Sequence, residues 1–157
     1  MNLTLDKHQT LLFAKYLGIN VPQGFLYDST IHKINELDPF LEKYRMAFPI
    51  VCKPNYEGTS MGITLVKNSI ELQEAVNYLS SIYHEPIRCD EYIPGREIAV
   101  PILGSGENAR VIGIVEYQKP DGSPMDFYTH KYKRHGFHKT IFADYGKAVS
   151  YTHLRAH

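Results

Sequence analysis

The feature that most constrains this chain is a lysine standing at the end of one β-forming run and separated from the next by a glycine-bearing loop. Pro49-Ile50-Val51-Cys52-Lys53 is strongly β-forming, and Ile63-Thr64-Leu65-Val66 is its natural partner. Between them lies Pro54-Asn55-Tyr56-Glu57-Gly58-Thr59-Ser60-Met61-Gly62, rich in turn formers. The expected unit is an antiparallel hairpin with a long loop. Alternation places Lys53 on the same strand face as Val51, so a ligand there meets a fixed positive charge beside an apolar wall. Glycines let backbone N–H groups approach an anion, and Thr59 and Ser60 offer hydroxyl donors. Polyphosphate binding uses this combination. An ordinary hairpin loop with an exposed lysine fits the same segment, so the surroundings have to decide.

The surroundings read as an α/β (α+β) chain of mixed, largely antiparallel sheets with packed helices. Asp6 to Gly18 is an expected helix with Leu11, Leu12, Ala14 and Leu17 as its apolar face and Gly18 as its stop. Gly24 to Tyr27 is a short strand. Ile34 to Tyr44 reads as a weaker helix interrupted by Pro39. Asn68 or Ser69 caps a further helix, with Leu72, Val76, Leu79 and Tyr83 on one side. Strands are expected over Ile87–Tyr92, Glu97–Leu103 and Arg110–Gln118, a turn at Asp121-Gly122, and a last short strand or loop over Phe127–Tyr132. No internal repeat is visible. The tail from Val149 to His157 continues no earlier pattern and reads as a translated adapter rather than native sequence.

Composition excludes several classes of partner. Seventeen basic and seventeen acidic residues balance to zero net charge, which argues against broad binding to nucleic acid or to an anionic membrane. No apolar stretch is long enough to cross a bilayer, and the start lacks a signal-peptide pattern, so the cytoplasm is the expected location. Cys52 and Cys89 sit in apolar runs without metal-ligand spacing and read as reduced core thiols. His130, His135 and His138 lie close in sequence, but no carboxylate or cysteine completes a familiar metal spacing. The expected set of metal ligands in this chain is therefore none. Lys131-Tyr132-Lys133-Arg134 is a basic cluster that fits a phosphate-facing loop better than a nucleic-acid patch.

Two further segments add nucleotide chemistry to Lys53. Cys89-Asp90-Glu91-Tyr92-Ile93-Pro94-Gly95-Arg96-Glu97 ends one strand and begins another. The backbone from Glu91 to Ile93 can pair with an adenine edge, and Glu97 can accept from both ribose hydroxyls. Asp126-Phe127-Tyr128-Thr129-His130-Lys131-Tyr132 brings a further lysine.

In this order the segments resemble the D-alanine–D-alanine ligases, a family of the ATP-grasp type. The resemblance runs from about Leu5 to Tyr132 through Asp6-Lys7, Lys53-Pro54 to Gly62, Glu91 to Glu97, and Lys131-Tyr132. It implies an ATP-dependent carboxylate–amine ligase that forms an amide through an acyl phosphate, with ATP and Mg2+ as cofactors and small amino acids as substrates. It implies that Lys7 and Lys53 contact ATP phosphates, that Glu57, Gly58, Thr59, Ser60, Met61 and Gly62 form a phosphate lid, and that Glu91, Tyr92 and Ile93 form the adenine hinge. Glu97 would hold the ribose, and Lys131 would touch the phosphate in transfer as the catalytic residue. Residues 1–94 would be one ATP-grasp subdomain, 95–148 the start of a second, and 149–157 the non-native tail, with ATP between the first two. Departures at Thr59, Met61 and Thr129 bear on substrate choice. The family's amino-terminal domain and its carboxy-terminal metal ligands are expected to lie outside this chain, which alone should not turn over. A homodimer of a full-length protein is left open, as are another ATP-grasp peptide or amino-acid ligase and a nucleotide-binding module without catalysis.

Overall fold

The computed structural model describes residues 3–123 and 125, together with the backbone of 139–142. The expected strand at 127–132, Lys131, the three neighbouring histidines and the tail lie outside the described residues. The chain divides into two compact units between Ile93 and Pro94.

In the first unit, four strands form one antiparallel sheet in the order β1-β4-β2-β3: β1 Gly24–Tyr27, β2 Ile50–Pro54, β3 Thr64–Val66 and β4 Ile87–Glu91. The hairpin of β2 and β3 forms as its sequence implies, with Val51 opposite Leu65. Alternation sorts the residues of β2, so that Ile50, Cys52 and Pro54 are buried while Val51 and Lys53 stay half-exposed on the other face. The core face is completed by Phe25, Tyr27, Val66, Ile87 and Cys89. Cys52 faces Cys89 across the strands as an unbonded thiol pair, Sγ to Sγ 3.8 Å.

Two helices cover that face. α3, Ser69–Tyr83, is capped by Asn68, whose side chain accepts from the Glu71 amide, and it buries Leu72, Ala75, Val76 and Leu79. α2, Leu37–Lys43, follows a short 3-10 turn and buries Leu37 and Leu41. Pro39 does not interrupt it. It occupies the first turn, where the missing N–H would have had no intrahelical partner. The helix closes in a Schellman motif, with the Arg45 amide donating to Glu42 O and that of Met46 to Leu41 O, 3.1 and 2.9 Å. Arg45 carries the positive φ, 51°, usually given to glycine there.

α1, Lys7–Tyr16, differs from the expectation of a buried apolar face. None of its residues is buried, and Leu12 and Leu17 remain 49% and 44% exposed. Its attachment is polar instead. Asp6 caps it by accepting from the Gln9 amide, and the wholly buried Asn55 ties its start to the end of β2.

The second unit holds shorter strands. β5 Glu97–Ala99, β8 Val115–Gln118 and β9 Lys139–Phe142 form a three-stranded antiparallel sheet, and β6 Ile102–Leu103 pairs with β7 Arg110–Val111. Both long strands expected here are therefore broken. Pro101 interrupts the first, because it cannot donate to a ladder, and the second parts around Gly113. Ile98, Val100 and Ile102, which alternate along the first run, are all exposed. The turn at Asp121-Gly122 forms as its sequence implies, with the Gly122 amide donating to Lys119 O at 2.9 Å and Gly122 at φ 84°.

Candidate functional site

The site is built where β2, β4 and the start of α1 meet. Lys53 sits one residue before the end of β2, and antiparallel register sets it opposite Arg88. Its ammonium lies 2.8 Å from Asp90 Oδ2. Asp90 and Arg88 project from alternate positions of β4, and Arg88 Nε donates to Asp90 Oδ1 at 2.6 Å. Both are buried, at 2% and 4% exposure, so the carboxylate is shared between two cations in a poorly solvated place. At that distance Lys53 engages Asp90 Oδ2 directly, as Arg88 engages Oδ1.

Gly24 explains how so much charge fits against the sheet. A Cβ there would lie 2.3 Å from Cys89 O, 2.4 Å from Asp90 Oδ1 and 2.7 Å from Arg88 Nη2. Only a residue without a side chain leaves that room.

A second lysine arrives through Asn55. Its carboxamide donates to Asp6 Oδ1 and accepts from the His8 amide, 2.9 and 3.0 Å. Its own carbonyl accepts from the Lys7 side chain at 3.1 Å, and Glu57 O accepts from the same ammonium. Lys7 is thus pinned beside the loop that leaves β2. Burial, and then the charge of Lys53, lowers its pKa below the ordinary lysine value. Two ammonium groups close enough to disfavour one another make a place that gains from a bound anion. For Asp6, burial raises the carboxyl pKa, but the Gln9 amide, Asn55 and His8 outweigh it and leave it lowered.

The loop from Glu57 to Gly62 is turned by consecutive left-handed residues, Thr59 and Ser60 at φ 50° and 60°, and by the Met61 amide donating to Gly58 O. Gly58 has open space around it, whereas a side chain at Gly62 would strike Pro54 and Tyr83. Gly62 therefore serves packing, and Gly58, Thr59 and Met61 are the exposed residues of the loop.

These features coincide with a recognised family. The model described as "D-ala D-ala ligase C-terminus" matches residues 13–152. The chain belongs to that family. Among its relatives, the D-alanine–D-alanine ligase of Herminiimonas arsenicoxydans is 29% identical over 130 residues, 83% of this chain and 37% of that protein. The fold is that of the ATP-grasp ligases. D-alanyl-alanine synthetase A from Vibrio cholerae matches with a TM-score of 0.68 at 17% identity, over 96% of this chain and 44% of that one. The Bacillus anthracis D-alanine–D-alanine ligase, solved in complex with ATP, matches with a TM-score of 0.59 at 19% identity, over 90% and 41% of the two chains. The chain thus spans well under half the length of these relatives.

Within the first unit, the structure brings Lys7, Lys53 and the 57–62 loop together. Glu91 is turned elsewhere, its carboxylate accepting from the Gln23 amide at 2.9 Å. The Tyr92 amide donates to Pro49 O, and Ile93 is exposed. Glu97 begins β5 in the second unit and is exposed. The sequence reading gave Asp90 and Arg88 no role in the site. Their signal was alternation: with Cys89 in the core, both neighbours must face the side that carries Lys53. Among the described residues, no group of three His, Cys, Asp or Glu could hold a metal ion, and no helix is long and apolar enough to cross a membrane.

Proposed function

We propose that the first unit holds the phosphates and base of ATP, as part of an ATP-dependent carboxylate–amine ligase most like D-alanine–D-alanine ligase. The observation that carries this reading is the convergence of Lys7 and Lys53 beside the 57–62 loop, next to the buried Asp90 carboxylate. Those residues fit a nucleotide: two ammonium groups for phosphate oxygens, an exposed glycine-bearing loop beside them, and a buried carboxylate that can accept from an N–H of the base.

ATP supplies the phosphoryl group that activates a carboxylate for attack by an amine. Lys7 and Lys53 orient it, and the 57–62 segment excludes water over it. In this proposal the backbone of Glu91, Tyr92 and Ile93 borders the base, Glu97 holds the ribose, and Lys131 contacts the transferred phosphate. Residues 1–94 and 95–148 are then two ATP-grasp subdomains. Small amino acids are the substrates, the compartment is the cytoplasm, and cell-wall precursor synthesis is the setting. Magnesium has no described ligand set in this chain, and no step is assigned to it.

The test is nucleotide titration of Lys53→Ala. Loss of a charge-assisted contact in a poorly hydrated site costs roughly 1.5–3 kcal/mol, about tenfold to more than a hundredfold in affinity. Unchanged ATP affinity would remove the basis of the reading. Glu97→Ala should weaken ATP but leave inorganic triphosphate unaffected.

A further inference from the structure

A cavity of about 420 Å³ lies within the first unit, apart from Lys7, Lys53 and the 57–62 loop. Lys15, Lys43, Arg45 and Arg88 line it with His8, and no carboxylate does. In a chain whose charges cancel overall, this is a local concentration of one sign. Two carboxylates border the cavity only through their partners. Asp90 is held by Lys53 and Arg88, and Glu91 by the Gln23 amide.

We propose that this cavity binds a small organic anion carrying two or more negative charges, phosphate or polycarboxylate, on an apolar body. The floor is built rather than incidental. Arg88 is 4% exposed, fixed by Asp90 at 2.6 Å and by His8 Nδ1 at 2.6 Å. Asp90 offsets part of the guanidinium charge, but with Lys53 also on the same carboxylate the cluster keeps a net positive charge, and the planar guanidinium is held in place to offer its remaining donors to an oxyanion. Gly24 leaves the space in front of Arg88 Nη2 that a Cβ would fill. The rim is exposed charge: Lys15 and Arg45 are exposed, and neither makes an ion pair among the described residues. Lys43 is held over the Tyr44 ring, 5.4 Å from its centroid. Arg45 occupies a left-handed position where glycine is less strained, and it lines the cavity. Leu11, Leu12, Val21 and Pro22 supply the apolar wall. The volume falls in the small-molecule range and exceeds what a bare phosphate fills, so the anion has a body as well as a head.

The experiment uses the isotope-labelled chain without nucleotide and two matched dianions, phenyl phosphate and phthalate, with benzyl alcohol as the neutral control. Backbone amide shifts at Gly24, Tyr44 and Arg45 are expected to move with one or both dianions and not with the alcohol. The arm that binds more tightly identifies the head group. The double variant Lys15→Ser, Arg45→Asn should weaken binding tenfold or more. Both positions are exposed and asparagine suits a left-handed backbone, so the fold should be kept; an unchanged thermal midpoint checks this. Lys15→Arg, Arg45→Lys should stay within about threefold of the parent, as charge is preserved. Equal affinity in the double variant, shifts confined to 57–62, or no saturable binding would each overturn the site. Because nucleotide is absent and Lys53 is intact, failure here leaves the Lys53→Ala test of ATP binding untouched.

Discussion

The two units use similar apolar strand residues and arrive at different results. In the first, strands of three to five residues lie under α2 and α3, and Ile50, Val66 and Ile87 are almost completely buried. In the second, strands of two to four residues leave Ile98, Ile102 and Leu103 exposed. No α-helix is present in the second unit among the described residues. β propensity alone does not make a core. A second layer does, and in the first unit the sequence supplies it locally, because α3 follows the hairpin it covers.

Large-to-small substitution is the strongest way to break that contrast. Leu79→Ala, in the face of α3 that packs on the sheet, should destabilise the first unit by about 2–5 kcal/mol in urea denaturation. A cost below 1 kcal/mol would mean that α3 is not the covering layer. Asn55→Ala should cost about 1–3 kcal/mol, since Asp6 Oδ1 and the His8 amide each lose a buried partner. Hydrogen exchange should quicken in α1 and leave α3 unchanged.

A smaller effect sharpens the comparison through pH. Burial, and then the charge of Arg88, lowers the pKa of His8 below its ordinary 6.5. The folded chain therefore binds fewer protons there than the unfolded chain. This contribution to stability is whole above about 6.5 and is lost as pH falls toward the lowered folded value. Asp6 loses its own contribution only at lower pH, below the ordinary carboxylate value of 3.8. His8→Gln should flatten the urea midpoint between neutrality and pH 5; an unaltered slope would place the titrating group elsewhere. The smallest effect belongs to the second unit, where Ile102→Thr should shift stability by no more than about 0.5 kcal/mol, because its side chain is already 62% exposed.

Sequence reading succeeded where the signals were local. Asn68 and the spacing of Leu72, Val76 and Leu79 define α3 without reference to anything distant, and the run around Lys53 announces its hairpin. Pro39 misled because its effect depends on its place in the helix, and the first turn tolerates it. The runs 97–103 and 110–118 were read too long because apolar alternation continues through Pro101 and Gly113 while the ladder does not. In the site, Lys53 and its loop stand out as residues, whereas Asp90 depends on which strand lies beside β2, a pairing between positions far apart in the chain. The apolar stripe of α1 predicted a buried helix face, but polar bonds fasten that helix instead.

That fastening bears on the order in which the molecule assembles and comes apart. A helix held by hydrogen bonds to Asn55 and Arg88, with no buried residue of its own, has nothing to dock on until β2 and β4 have paired. It should therefore be the last element to join and the first to leave, opening at a free energy well below that of the sheet. Lys7 travels with it. One of the two ammonium groups at the site is thus carried on a detachable arm, and a bound anion that bridges Lys7 and Lys53 would act as a latch between the arm and the sheet.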